Sequence, residues 1–185
     1  MATTAPMPQA GEAAQATEEE KLPKLSLAEF RTYNRMADHM DLFHNGFRRQ
    51  WNQLYSAASS RKRPNNLTMR QYLLLGLQFC SSLETHHSIE EVHIFPVLAK
   101  KMPAFRKELE LLSQHKQIHA GLDTFQDYLN DCRSGEQELR MEKVQELMDA
   151  FGKVLWEHLD DEVKQLAAEN MRKYWTKEEM NSLVI

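Results

Sequence analysis

Glycine and proline are scarce, six of each in 185 residues, about half their usual joint share. That scarcity speaks against a β-sandwich and against a glycine-rich nucleotide-binding sheet. Cysteine is scarcer still: Cys80 and Cys132 cannot build a disulfide framework and suit a reducing compartment, most simply as small buried hydrophobes. Basic residues are not in excess, 23 against 27 acidic for a net charge of -4, so there is no phosphate-binding face and no nucleic-acid partner is expected. No apolar run approaches the ~20 residues of a membrane span. The longest, Leu73-Leu74-Leu75-Gly76-Leu77, reads as one face of a core helix. Met1 to Lys24 has no apolar run, lacks arginine and carries Glu18-Glu19-Glu20, which excludes a signal peptide and argues against a mitochondrial presequence. A cytoplasmic protein without a membrane partner is the expectation.

What remains is helix-forming sequence. Residues 1–24 have too little apolar content to fold and read as a disordered tail; residues 25–185 read as the folded unit. Ser26-Leu27-Ala28-Glu29 is a capping box opening a helix that runs to about Ala58. Thr68-Met69-Arg70-Gln71 opens a second, which Pro96 kinks or ends. Pro103 suits the first turn of a third helix reaching about Cys132. The fourth covers roughly Gln137 to Met171, and Thr176-Lys177-Glu178-Glu179 caps a short terminal helix. Long helices with short connections predict an all-α fold, an antiparallel up-down-up-down four-helix bundle.

The inward stripes at 3–4 residue steps are apolar except in one layer. They read Met40, His44, Phe47 in the first helix and Leu83, His86, Glu90, His93, Val97 in the second. In the third and fourth they read Leu112, His115, His119, Leu122 and Leu155, His158, Glu162, Leu166. Three His-x3-Glu pairs occur where chance gives ~0.8. A single histidine on such a stripe is ordinarily a hydrogen-bonded core residue. Five imidazoles and two carboxylates in one layer are different, because each unpaired buried charge costs several kcal/mol. Antiparallel helices bring all these groups near mid-bundle, where one or two dications remove that cost.

Seven ligands are too many for one tetrahedral zinc and fit two six-coordinate ions, with iron best suited and manganese or zinc as substitutes. Glu90 and Glu162 are the bridging candidates, since only a carboxylate has two oxygens to span two ions. A ferritin-like site would need Glu-x-x-His at i, i+3, and the order here is His-x3-Glu.

Four segments stand in order on the four helices: His44-Asn45; His86-His87-Ser88-Ile89-Glu90-Glu91 followed by Phe95-Pro96; Gln114-His115-Lys116-Gln117-Ile118-His119; and His158-Leu159-Asp160-Asp161-Glu162. Together they resemble the hemerythrin-like (HHE cation-binding) proteins over roughly Tyr33 to Leu166. Gly121 to Leu129 and Phe151 to Glu162 are similar to the microbial and fungal branch in particular. The resemblance implies a non-haem, oxo- and carboxylate-bridged pair of iron ions held by His44, His86, Glu90, His115, His119, His158 and Glu162. The partner it implies is O2, or another small diatomic or peroxide. Dedicated oxygen carriers of the family use His-x4-Asp on the last helix, and position 163 here is Val. That difference sets the chain apart from the carriers and leaves metal binding untouched.

Other residues have blander readings. His39 competes with His44 for the first-helix position, but its neighbours are mixed whereas His44 lies in an unbroken apolar stripe; Asp38 and Asp41 read as solvated. His87 and Glu91 are one residue out of register, about 100° from the stripe, and are expected at the surface or behind the ligands. His93 stays on the inward side, where an extra ligand or a donor behind the ligands is the lesser of its readings. Met36 and Met40 are possible pocket lining, and Trp51 and Trp156 flank the layer as lid or ordinary core. Two functional classes follow: a di-iron protein that binds O2 or senses oxygen, redox state or iron, and a di-iron oxidase, peroxidase or NO-processing enzyme. No dinucleotide fingerprint or ferredoxin-like cysteine spacing is present, so an enzyme of this kind needs an external reductant.

Overall fold

In the computed structural model the described residues are 22–62, 64, 66–106 and 110–183. Most of the expected N-terminal tail, residues 1–21, therefore lies outside them. Four long helices make the all-α bundle: α1 (Leu27–Ser60), α2 (Met69–Ile89), α4 (Glu110–Ser134) and α5 (Met141–Leu166). Three short ones complete it: α3 (Phe95–Leu98), α6 (Ala168–Met171) and α7 (Lys177–Ser182). Cross-helix partners run in opposite directions at every neighbouring pair. Leu54 meets Tyr72 while Phe47 meets His86; Gly76 faces Leu129 while His87 meets His119. Tyr128 bonds Arg140 while Gln114 bonds Asp161, and Asn34 reaches Ala168 while Arg61 reaches Gln145.

The capping boxes are present where the sequence places them, at Ser26/Glu29, Thr68/Gln71 and Thr176/Glu179. Elsewhere the chain departs from regular helix or from the expected boundaries. At Pro96, expected to kink or end the second helix, the helix is interrupted without ending: it widens into a π-helical turn over Glu90–Ile94 and resumes as α3, with Pro96 in its first turn. Pro96 has no N–H for the Val92 carbonyl and its ring crowds that carbonyl, so the ladder widens to Phe95 N–H donating to Glu90 O. Pro103 opens a single 3-10 turn, Pro103–Phe105, rather than the third helix. Phe105 is buried there against Phe95, ring centroids 5.2 Å apart, which turns the chain across the bundle end. The fourth helix ends at Leu166, because Ala167 is extended and the Asn34 side chain accepts from Ala168 N–H at 3.0 Å.

The apolar core comes in two slabs. One contains Trp51, Tyr72, Phe79, Phe125 and Phe151; the other contains Met36, Phe95, Met102, Leu166 and Trp175. The ionisable layer lies between them. Trp51 is core, packed between Phe79 and Phe151, and Trp156 is half-buried beneath the Arg48 guanidinium. Cys80 is buried, with its thiol pushed up to about 12 by burial, and Cys132 is half-buried. Among the described residues no helix is long and apolar enough to cross a membrane.

Candidate metal centre

Two groups of donors converge in the layer, each with ligand atoms within 4.8 Å of one another. His44, His86, Glu90 and Glu162 form one; His87, Glu90, His115 and His158 form the other. Glu90 belongs to both, as a bridging carboxylate must. Glu162 sits between them as well: its Oε2 is 3.4 Å from His44 Nε2 and 3.6 Å from His158 Nε2. The remaining short approaches are His86 Nε2 to Glu90 Oε1 at 2.8 Å, His115 Nε2 to Glu90 Oε2 at 3.5 Å, and His115 Nε2 to His158 Nε2 at 3.1 Å.

The outer nitrogens are tied down, which fixes where the lone pairs point. His44 Nδ1–H donates to the Leu159 carbonyl at 3.0 Å, and His115 Nδ1–H to the Glu91 carboxylate at 2.8 Å. His158 Nδ1–H donates to Gln114 Oε1 at 3.3 Å, and the Gln114 amide is itself anchored on Asp161. His87 Nδ1 faces His119 Nε2 at 3.4 Å. In each case Nε2 is left as the acceptor aimed into the layer, the arrangement that orients an imidazole for a metal.

What these atoms lack is a partner. His44 Nε2, His86 Nε2, His87 Nε2 and all four oxygens of Glu90 and Glu162 are buried without a hydrogen bond, the 2.8 Å His86–Glu90 approach included, because its angles are wrong for one. Each such atom costs about 1–3 kcal/mol when left unsatisfied. Burial also sets the protonation. It drives His87 and His158 well below their ordinary range and His86 down to about 3, with repulsion from neighbouring rings adding, and it lowers His115 too. These imidazoles are neutral and ready to donate lone pairs. Burial, and then the Glu162 carboxylate beside it, push Glu90 well above the usual carboxylate range. Cations placed in the two donor groups would give these buried lone pairs the partners they lack, so the donor set fits metal binding.

The sequence-derived residues His44, His86, Glu90, His115, His158 and Glu162 are thus brought together. His119 is not: it is half-buried, outside both groups, and touches the layer through His87. His87 takes the inward place instead, fully buried and stacked on His115 at 3.9 Å, where it was expected at the surface or behind the ligands. The inward wedge of α2 is as wide as the angle between its two neighbours, so adjacent residues share it: His86 faces α1 and His87 faces α4. Glu91, half-exposed, holds His115 from behind. His39 is exposed against Phe43, and His93 is exposed and joins neither group, because the π turn carries it off the inward face.

Residues 35–169 match the family described as the hemerythrin HHE cation binding domain. The chain is also similar to the "Dimeric xanthone biosynthesis cluster protein R11" of Cryptosporiopsis sp. (strain 8999), 27% identical over 110 residues, covering 54% of this chain and 40% of that protein. The match therefore spans less than half of that relative's length. No solved structure matches.

Proposed function

The chain belongs to the hemerythrin HHE cation-binding family, and from that premise we propose that it is a non-haem di-iron protein that binds O2, or senses oxygen, redox state or iron, within the bundle. His44, His86, Glu90 and Glu162 would hold one ion, and His87, His115, His158 and Glu90 the other, with manganese or zinc as substitutes. The observation that carries this reading is the set of buried nitrogen and oxygen atoms left without partners in a layer between two apolar slabs.

When bound, the iron pair supplies redox chemistry toward O2 or a related small oxidant. The chain does the rest. The Leu159 carbonyl, Glu91, Gln114 and His119 hold the outer imidazole protons, so that Nε2 stays free and correctly aimed. Phe47, Leu83, Phe95 and Leu166 exclude water on both sides of the layer.

Anaerobic loading with Fe(II), a metal count per chain, and optical spectra before and after admitting air test the reading. Two irons with a spectral change that reverses on removing O2 support binding or sensing. Zero iron, or one zinc that nothing displaces, overturns the di-iron reading. A second reading, a redox enzyme with an external reductant, is favoured by the cavity that opens onto the His86–Glu90 edge of the layer. Similarity to a biosynthesis cluster protein agrees with it. Two irons that oxidise once and stay ferric, or that consume peroxide, point to this second class.

A further inference from the structure

We propose that the cavity between α1 and α2 binds a small, neutral, planar aromatic molecule bearing a hydroxyl group, a phenol, beside the His86–Glu90 edge of the metal layer. As a substrate or effector site for that centre the proposal rests on the metal reading; as a binding site it stands alone. The cavity is about 570 Å³, within the range of pockets for small organic ligands. It is far larger than a diatomic gas requires.

Its walls select the ligand. The phenyl rings of Phe43, half-exposed, and Phe47, buried, lie 5.5 and 5.1 Å from the His86 imidazole, so the wall beside the metal layer is an aromatic surface, with Met40 also in the lining. Flat rings suit such a surface. Among the described residues lining it there is no lysine or arginine, while Glu90 forms part of the floor. Phosphorylated and carboxylate ligands are therefore disfavoured. The lining holds buried acceptors without hydrogen-bond partners: His86 Nε2 and the Glu90 oxygens on the metal side, and in the wall the Gln50 carboxamide oxygen, which a turn of its side chain brings to the cavity. A ligand hydroxyl satisfies it, which distinguishes a phenol from a plain hydrocarbon.

Gly46 adds an independent sign. A β-carbon at Gly76, Gly121 or Gly152 would meet a side chain of a facing helix within 2.8 Å, so those glycines serve helix contact. A β-carbon at Gly46 meets nothing nearer than the Arg49 guanidinium at 4.0 Å. This glycine sits in mid-helix against open space, in the wall of the cavity. No neighbouring helix requires it there, whereas room for a ligand does.

The test uses the full chain, both metal-free and loaded with Zn(II), titrated with 2-naphthol while its emission is followed. Saturable binding of one naphthol per chain is expected, with a Kd on the order of 100 µM for so small a ligand. Gly46→Leu, whose β-carbon meets nothing nearer than 4.0 Å, is expected to weaken binding at least tenfold while the zinc count stays at the wild-type value. Gln50→Leu is expected to weaken 2-naphthol by roughly tenfold and leave naphthalene unchanged. No saturable binding to zinc-loaded protein, or binding indifferent to Gly46→Leu, overturns the proposal and leaves the metal centre standing. Naphthol binding that depends on Gly46 in a protein that takes up no metal supports the site and overturns the metal reading alone.

Discussion

His86 and His87 are adjacent in sequence, about 100° apart around α2, and both deliver a buried Nε2 to the same layer. A stripe drawn at 3–4 residue steps follows one line down a helix and assigns each turn a single inward residue. That logic finds His44, His115, His158 and Glu162, which lie on such lines, and misses His87, which shares its turn with His86. It also favours His119, four residues after His115 on the same face, although His119 lies one turn further along α4 and meets His87 rather than the donor groups. The cue lay in the His86-His87 doublet itself: a helix facing two neighbours can present adjacent side chains one to each. The two assignments separate cleanly by metal count after dialysis. His87→Ala is expected to retain about one ion per chain, having lost a direct donor. His119→Ala is expected to retain two, with affinity lower by about 10–100-fold, because it removes only the support behind His87. Two ions in His87→Ala with one in His119→Ala would reverse the roles.

At the scale of elements, the helix starts that carry a capping box and the interruption at Pro96 were legible, and the starts of the third and fourth helices and the break at Ala167 were not. A capping box is a local hydrogen-bond pattern written in four residues, and Ser26, Thr68 and Thr176 each make theirs. The break at Ala167 and the 3-10 turn at Pro103 depend on what the chain meets elsewhere, the Asn34 side chain and the pocket that takes Phe105, whereas the π turn at Glu90–Ile94 follows locally from Pro96. The glycines show the same division, since sequence gives no reason to treat Gly46 and Gly121 differently. Both lie inside long helices, where Gly costs about 1 kcal/mol relative to Ala. Gly46→Ala is expected to recover up to about 1 kcal/mol, because its β-carbon enters open space. Gly121→Ala places a β-carbon 2.5 Å from Phe151 Cβ, which cannot yield without moving α5, and is expected to cost about 1–3 kcal/mol. Thermal unfolding reads both: the melting temperature should rise by about 2–4 °C in the first variant and fall in the second. Equal shifts of one sign would mean that the approach of α4 to α5 is looser than the structure shows.

For the whole molecule, a layer of ionisable groups between two apolar slabs makes stability depend on pH from both sides until metal is bound. In the metal-free protein, burial holds His86, His87, His115 and His158 below the ~6.5 at which unfolded imidazoles protonate. As pH falls through 6.5 the unfolded chain takes up protons that the folded chain refuses, so stability is lost on the acid side. Glu90 acts in the opposite direction. Its folded carboxyl keeps its proton above the usual range while the unfolded one has ionised, so stability is lost as pH rises from about 4.5 towards its folded value. On the acid side four imidazoles outweigh one carboxyl, so the metal-free melting temperature is expected to fall as pH drops below about 6.5. On the alkaline side the unfolded imidazoles have lost their protons and Glu90 is left, so it is expected to decline there for as long as the folded carboxyl keeps its proton. Bound cations would replace the Glu90 proton and occupy the imidazole lone pairs, so the alkaline decline should flatten. The acid limb should steepen, because protons then compete with metal for the same nitrogens. Melting curves from pH 4 to 9, with and without Zn(II), read both limbs. A metal-free curve that keeps rising past pH 8, or a loaded one of unchanged shape, would mean that Glu90 does not carry a proton in the empty layer.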